Sequence, residues 1–152
     1  ALGMSLHAHE QYGAAEAAYQ RAEALAPGDF AWPYYLTMVQ QAKGDTDAAL
    51  RSIARALAID ETHVPALHLK ADLLLAKGQW ADARSIVRQI LDKNPVQARA
   101  HYTMGRVLQG LGELDAAIDS FQTACEFFPA YGAAHYAAAS AYRQKGDRNQ
   151  AS

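Results

Sequence analysis

The chain repeats itself every 34 residues. The tripeptide Ala-His-Tyr occurs at 100–102 and again at 134–136. Alanine, glycine and proline each recur at this period in a register of their own. Their positions are Ala15, Ala49, Ala83, Ala117 and Ala151 for alanine, Gly44, Gly78, Gly112 and Gly146 for glycine, and Pro27, Pro95 and Pro129 for proline. A fixed period of this length indicates an array of like units, so it constrains the fold more than any other feature of the sequence.

Each unit is predicted to form two helices joined by a tight turn. In the unit 98–131, apolar and small residues three or four apart form one stripe before Gly112 and a second stripe between Gly112 and Pro129. Glycine readily adopts the left-handed conformation that ends a helix, and proline lacks the amide hydrogen that a helix interior needs. The unit is therefore expected to be helix, turn, helix and stop.

Small side chains at fixed positions predict where the two helices of a unit approach each other. Gly105 and Ala117 leave such gaps, and Phe121 and Leu108 are expected to fill the space beside them. One helix pair cannot bury its apolar face alone, so neighbouring pairs must stack. Small residues recur in two further registers, Gly3, Thr37, Ala71, Gly105 and Ala139 in one, and Ala22, Ala56 and Ala124, with Ile90 as an exception, in the other.

This pattern resembles the tetratricopeptide repeat, a 34-residue helix-turn-helix with small residues at unit positions 8, 20 and 27, glycine at 15 and proline at 32. The resemblance implies an all-α fold, a right-handed α-α superhelix or solenoid. Complete units are expected at 30–63, 64–97 and 98–131, with partial units at 1–29 and 132–152. The last partial unit is expected to stop just after its second helix begins. We expect a single array that is a segment of a longer protein.

Composition narrows the classes of function. The chain has 152 residues, is 51% hydrophobic and carries a net charge of -2, so it is expected to fold, and its net charge gives no electrostatic reason to expect a nucleic-acid partner. No run of about 18 apolar residues is present, so no membrane insertion is expected. The compartment stays open between cytoplasm and periplasm, and the alanine-rich composition resembles that of bacterial proteins.

Residues that could support catalysis or bind metal are poorly placed for either. On a helix, His7 and His9 would point about 200 degrees apart, so they could not share a zinc ion. His101 and His135 hold equivalent positions in neighbouring units, and we expect them to serve packing. Cys125 lies on an apolar stripe with no convincing base beside it, as is typical of a small apolar filler. The sequence therefore predicts no enzyme, no metal and no cofactor.

In the family that this sequence resembles, the first helix of each unit lines a concave groove that holds peptides or partner helices. Carried over by register, the candidate partner-binding residues are Tyr34, Tyr35, Met38, His68, Asp72, Arg99, Tyr102, Arg106, Tyr136 and Arg143. Tyrosine offers a wide contact area with a polar group, and arginine can hold a carboxylate through two hydrogen bonds. We therefore expect a protein or peptide partner with acidic and apolar residues, bound with an affinity on the order of micromolar.

Other interpretations stay open at this point. The tyrosines could simply pack on their neighbours. The units could stack end to end, or pack through their convex faces, as a self-assembling homo-oligomeric scaffold, or the array could target or regulate an enzyme domain elsewhere in the parent chain. Binding of chaperone tails is not expected, because the lysines and asparagines that this requires are absent and only Arg106 matches. The residues at the other four places are Tyr34, Met38, Leu69 and Tyr102.

Overall fold

The computed structural model describes residues 6–151. Over that range the secondary structure consists of eight α-helices, with no strand. They are α1 (Leu6–Leu25), α2 (Ala31–Ala42), α3 (Thr46–Ile59), α4 (Val64–Ala76), α5 (Trp80–Lys93), α6 (Ala98–Gly110), α7 (Leu114–Phe127) and α8 (Gly132–Ala151). The helices form two compact units, Ala1–Lys77 and Gly78–Ser152. The small residue expected at Gly3 lies outside the described range, and a single array over 1–152 stays a prediction.

The predicted glycine turns are present in three places. Gly44, Gly78 and Gly112 have φ angles of 81°, 71° and 80°, the left-handed region that favours glycine. Each follows the first helix of a complete repeat, so the spacing of the glycines identified the turns correctly. Helix α3, which follows Gly44, begins with a side-chain cap: the Asp45 carboxylate accepts a hydrogen bond from the Ala48 amide at 3.1 Å.

In the first unit, α1 packs against α2, α2 against α3, and α3 against α4. Leu36 of α2 and Ala49, Ile53 and Ala56 of α3 are fully buried. These residues follow the predicted apolar stripes, so the core of this unit lies where helical periodicity places it.

In the second unit, α6 packs against both α7 and α8. Phe121 is fully buried and forms a core cluster with Leu108, Ala117, Ile118 and Ala141. A Cβ atom built on Gly105 would lie 2.4 Å from Cε1 of Phe121, so only glycine allows this approach. The close contact predicted between the two helices of the repeat is confirmed.

The last helix differs from the prediction. The sequence register placed a turn at Gly146 and the start of another helix behind it, and this is wrong: α8 continues to Ala151 and Gly146 has no positive φ. By register, Arg148 stands where the preceding repeat has Leu114, so a charged residue replaces the apolar one that begins the second helix there. A glycine inside a helix costs only about 1 kcal/mol, so the chain continues as a helix.

The first helix is also continuous. α1 passes through Glu10, which stands where later repeats carry their turn glycine. Glutamate is a good helix former and has no preference for positive φ, so the turn is lost at this position.

Candidate functional site

The ten predicted partner-binding residues divide equally between the two units. Those of the first unit lie on α2 and α4, and those of the second lie on α6 and α8. The first set is Tyr34, Tyr35, Met38, His68 and Asp72, and the second set is Arg99, Tyr102, Arg106, Tyr136 and Arg143.

In the first unit, α2 offers an uncharged surface. Its sequence, AWPYYLTMVQQA, contains no charged residue. Tyr35 and Met38 are each 42% exposed, and Tyr34 is half-buried. On α4, Asp72 is half-buried, whereas His68 is only 3% exposed and therefore presents little surface to a partner.

The tyrosines of α2 belong to a cluster of rings. The Tyr34 ring stacks on Phe30 with 5.3 Å between centroids, so the interpretation in which tyrosine packs on its neighbours applies to it. The Tyr35 ring lies 5.7 Å from Tyr19 and 6.2 Å from Trp32. Tyr19 and Trp32 were not among the predicted residues. Trp32 lies on the same helix as Tyr35, and a large aromatic residue so close in sequence could have indicated the ring cluster.

In the second unit, α6 and α8 lie side by side. The side-chain amide of Gln109 donates a hydrogen bond to Oε1 of Gln144 at 3.0 Å, which joins the two helices. Spacings of three and four residues place Arg99, Tyr102 and Arg106 on one stripe of α6, and a spacing of seven places Tyr136 and Arg143 on one stripe of α8. We call this set the α6–α8 face: Arg99, Tyr102 and Arg106 on α6, and Tyr136 and Arg143 on α8.

Tyr102 anchors the α6–α8 face to the core. Its ring lies 5.9 Å from the buried ring of Phe121 and 5.1 Å from that of Tyr131. The guanidinium carbon of Arg106 lies 5.9 Å from the centroid of Tyr102, within the range of a cation–π interaction. The packing therefore holds Tyr102 in place and keeps a positive charge beside it.

The α6–α8 face carries an excess of positive charge. Helix α6 contains no acidic residue, and α8 contains only Asp147. Among the residues that the structure describes, none forms an ion pair with Arg106 or Arg143, and both arginines are exposed. Three other cations of this unit are engaged: Lys145 with Asp115 at 2.5 Å, Arg84 with Glu113 at 3.6 Å, and Arg148 with the carbonyl of Gly112 at 3.0 Å.

Tyr136 is the most exposed aromatic residue of the α6–α8 face. Its side chain is 74% exposed, although tyrosine is a large and largely apolar residue. Tyr136 shares this face with Arg106 and Arg143, and tyrosine and arginine are residue types that are enriched at the centres of protein interfaces.

The histidines at equivalent places in two repeats have a structural role. Nε2 of His101 lies 2.7 Å from the carbonyl oxygen of Pro95, and Nε2 of His135 lies 2.8 Å from that of Pro129. Each ring thus binds the loop that precedes its own helix. In residues 6–151, no group of three metal-ligating side chains is placed to hold a metal ion.

Cys125 has the properties of a packing residue. Its side chain is partly buried, and this burial raises the pKa of the thiol. A raised pKa keeps the sulfur protonated, and the protonated form is the poor nucleophile.

Comparison with known proteins identifies the family. Two models described as tetratricopeptide repeat match residues 40–107 and 98–131. The chain belongs to the tetratricopeptide-repeat family. The human tetratricopeptide repeat protein 7B is 32% identical over 127 residues, which cover 80% of this chain and 15% of that protein. Protein NPGR2 of Arabidopsis thaliana is 28% identical over 123 residues, or 79% of this chain and 16% of that one. The chain thus spans about a sixth of these relatives.

Solved structures show the same fold. A crystal structure of MamA has a TM-score of 0.82 at 22% identity, covering 97% of this chain and 89% of that one. YrrB, described as a tetratricopeptide-repeat protein with an unusual peptide-binding site, has a TM-score of 0.78 at 21% identity, covering 85% and 66%. The predicted fold class, an all-α tetratricopeptide-repeat solenoid, is confirmed. No helix in the described part of the chain is long and apolar enough to cross a membrane.

Proposed function

We propose that this chain is a non-catalytic protein-interaction module and that its α6–α8 face binds an acidic peptide or partner helix. Membership of the tetratricopeptide-repeat family supports a role in protein–protein interaction. The observation that carries the finer proposal is that Arg106 and Arg143 are exposed and form no ion pair with any residue that the structure describes, on the face that also carries the exposed Tyr136.

The charges of the α6–α8 face favour carboxylate groups in the partner. A guanidinium group presents hydrogen-bond donors in a fixed planar arrangement that matches a carboxylate. Arg106 is oriented by its contact with Tyr102, so less side-chain freedom is lost when a partner binds. Because the face is exposed, added salt should weaken the interaction and slow association.

The aromatic residues of the same face favour apolar or aromatic side chains. Tyr136 provides a wide contact area, and its hydroxyl can remain hydrated at the edge of the contact. In the first unit, Tyr35 and Met38 offer an uncharged surface, which we propose as a separate contact for apolar side chains. The peptide-binding site named for YrrB supports this kind of ligand, since YrrB shares the fold.

The test measures the binding of fluorescent peptides to the full chain. One peptide alternates acidic and aromatic residues, and its control carries lysine in place of each acid. We expect a Kd on the order of micromolar for the acidic peptide and at least about tenfold weaker binding of the lysine peptide. Arg106→Glu combined with Arg143→Glu should abolish the difference between the peptides.

The control variant is Arg88→Glu, because Arg88 is an exposed arginine on α5, outside the α6–α8 face. Binding that survives the double change, or that is lost equally with Arg88→Glu, would show that the α6–α8 face is not the site. Light scattering at several protein concentrations separates binding from self-assembly: a mass that grows with concentration would favour a homo-oligomeric scaffold.

A further inference from the structure

Charged and polar groups hold α1 on the first unit. The Glu16 carboxylate lies 2.6 Å from Nζ of Lys43 and accepts a hydrogen bond from Gln40 at 3.1 Å. The Glu23 carboxylate accepts two hydrogen bonds from Arg55, at 2.9 and 3.0 Å. Among the described side chains of α1, none is fully buried. Two carboxylates of α1 therefore form hydrogen bonds and ion pairs that attach this helix to the rest of the unit.

The surface beneath α1 is a connected polar network. The Ser52 hydroxyl donates to Oε1 of Gln40 at 2.5 Å, and Nη2 of Arg55 donates to the Ser52 oxygen at 3.3 Å. Gln40 is 4% and Ser52 is 1% exposed, so the network is held inside the unit. We call Gln40, Lys43, Ser52 and Arg55 the polar seam. It fixes two cations, Lys43 at the C-terminal end of α2 and Arg55 on α3.

An aromatic contact lies between the two carboxylates. Tyr19 follows Glu16 by three residues and precedes Glu23 by four, so all three side chains share one face of α1. The Tyr19 ring lies 6.2 Å from Trp32 and 5.7 Å from Tyr35. The face of α1 that meets α2 and α3 therefore carries a carboxylate, an aromatic ring and a second carboxylate. The two acidic residues are two helical turns apart, about 10.5 Å along the helix axis.

The equivalent face three repeats later is apolar. Adding 102 residues places Ile118 and Phe121 at the positions of Glu16 and Tyr19. Ile118 is 5% exposed and Phe121 is fully buried. Removing such a face from its neighbours would expose apolar surface to water, whereas the polar seam can exchange its bonds to α1 for bonds to water. The chemistry of the first contact makes α1 the easier helix to displace.

We infer that the polar seam, together with Trp32 and Tyr35, is a second partner-binding site, and that α1 occupies it in cis. The partner that fits is an amphipathic helix of another protein with a carboxylate, an aromatic ring and a carboxylate at positions i, i+3 and i+7. Charge complementarity selects this occupant, because Lys43 and Arg55 are positioned for two acids at that spacing. Binding of such a helix would release α1.

The test uses the full chain and a fluorescent peptide of residues 6–25. Glu16→Lys combined with Glu23→Lys places two positive charges of α1 against the positive charges of Lys43 and Arg55. Because like charges repel, α1 should leave the polar seam. We expect this variant to bind the wild-type peptide at least about tenfold more tightly than the wild-type chain does. Glu10→Lys is the matched control, since it changes a charge of α1 away from the seam and should leave peptide binding at the wild-type level.

A charge swap sharpens the test. A peptide carrying both lysine substitutions should fail to bind the first variant and should bind a chain with Lys43→Glu and Arg55→Glu. Absence of peptide binding to either opened chain would overturn the inference. A mass of two chains by light scattering, with no uptake of peptide, would assign the seam to α1 of a second copy and would overturn it as well.

Hydrogen exchange on the wild-type chain decides the question if the opened variants lose their helix content. Raising salt from about 0.05 M to about 1 M shortens the screening length roughly fourfold. The amides of α1 should then exchange about tenfold faster, while those of α6 and α7 keep their rate. Equal exchange of α1 at both salt concentrations would contradict displacement of a helix held by charge.

Discussion

Residues 12–25 of α1 hold the place in the repeat that α7 holds three units later, yet the two helices attach to their units by opposite means. α1 contacts the first unit through Glu16 and Glu23 around one tyrosine ring. α7 contacts the second unit through the buried side chains of Ile118 and Phe121. The repeat fixes the backbone arrangement, whereas the residue at each register position decides whether a contact is a permanent core or an exchangeable one.

The first helices of the repeats differ in the same way. α2 is uncharged and exposes Tyr35 and Met38. α6 carries two arginines and no acid, and α8 adds Arg143. We therefore propose that two surfaces built on one helix-turn-helix plan suit different partner chemistry, apolar in the first unit and acidic in the second.

Truncating the core of the second unit should have the largest effect. Phe121→Ala removes a fully buried ring at the contact of α6, α7 and α8 and is expected to lower the free energy of unfolding by about 4 kcal/mol. Denaturant unfolding followed by circular dichroism measures the loss. Phe128→Ala is the control, because that side chain is 51% exposed and should cost less than about 1 kcal/mol. Equal losses would mean that the Phe121 cluster does not hold this unit together.

Replacing a helical glycine with alanine should change the stability of the chain in opposite directions in the two units. Gly105→Ala places a methyl group 2.4 Å from the Phe121 ring and is expected to destabilise the chain by about 2 kcal/mol, despite a helix-propensity gain of up to about 1 kcal/mol. Gly13→Ala in α1 has no atom within 4 Å of the new Cβ and should stabilise by roughly 0.5–1 kcal/mol. Melting temperatures of both variants test the pair. The same sign for both would contradict the difference in packing.

Replacing Gln40, at the centre of the polar seam, tests whether the hydrogen bonds of the seam contribute to stability. Gln40→Leu installs the residue type found two repeats later at Leu108. The change removes the hydrogen bonds to Glu16 and Ser52 and should cost about 1–2 kcal/mol, because the Ser52 hydroxyl stays buried without this partner. Unfolding in urea measures the cost against Gln41→Leu, an exposed neighbour. A neutral or stabilising Gln40→Leu would show that an apolar contact serves equally well there.

Lowering the pH should slightly weaken the attachment of α1 to the first unit. The hydrogen bond from Lys43, followed by that from Gln40, lowers the pKa of Glu16 below the ordinary glutamate value of about 4.3. Because the folded state binds this proton less readily, the contribution of Glu16 is complete above that value and is lost as the pH falls through the lowered pKa. The effect should be less than about 1 kcal/mol, since the side chains are partly exposed.

Fluorescence of Trp32, measured in a Trp80→Phe background, should report the weaker attachment of α1 at low pH, because the Tyr19 ring of α1 contacts Trp32. Glu16→Gln should remove the pH dependence. A pH dependence that persists in this variant would assign it to another group.

Local patterns in the sequence predicted the fold well. Gly44, Gly78 and Gly112 mark turns because the conformation each adopts is a property of the residue and its near neighbours. The turn expected at Gly146 failed because Arg148 replaces the apolar residue that begins the second helix in the preceding repeat. Helix formation depends on the partner surface as well as on the glycine.

The candidate site was less visible in the sequence. The polar seam joins Glu16 to Gln40 across 24 residues, and each looks like an ordinary solvated side chain when read along the chain. His68 occupies a groove position by register but is buried, and burial depends on neighbours that periodicity does not identify. Stacking of Arg106 on Tyr102, by contrast, follows from their spacing of four residues on α6.

The proposal that the α6–α8 face binds the partner is tested most directly by nuclear magnetic resonance of the isotope-labelled full chain. The acidic and aromatic peptide is added until the spectrum stops changing. The proposal predicts that the largest shift changes fall on the α6–α8 face, at Tyr102, Arg106, Tyr136 and Arg143, and disappear with the lysine peptide. Changes concentrated on other helices, or of equal size with both peptides, would contradict it.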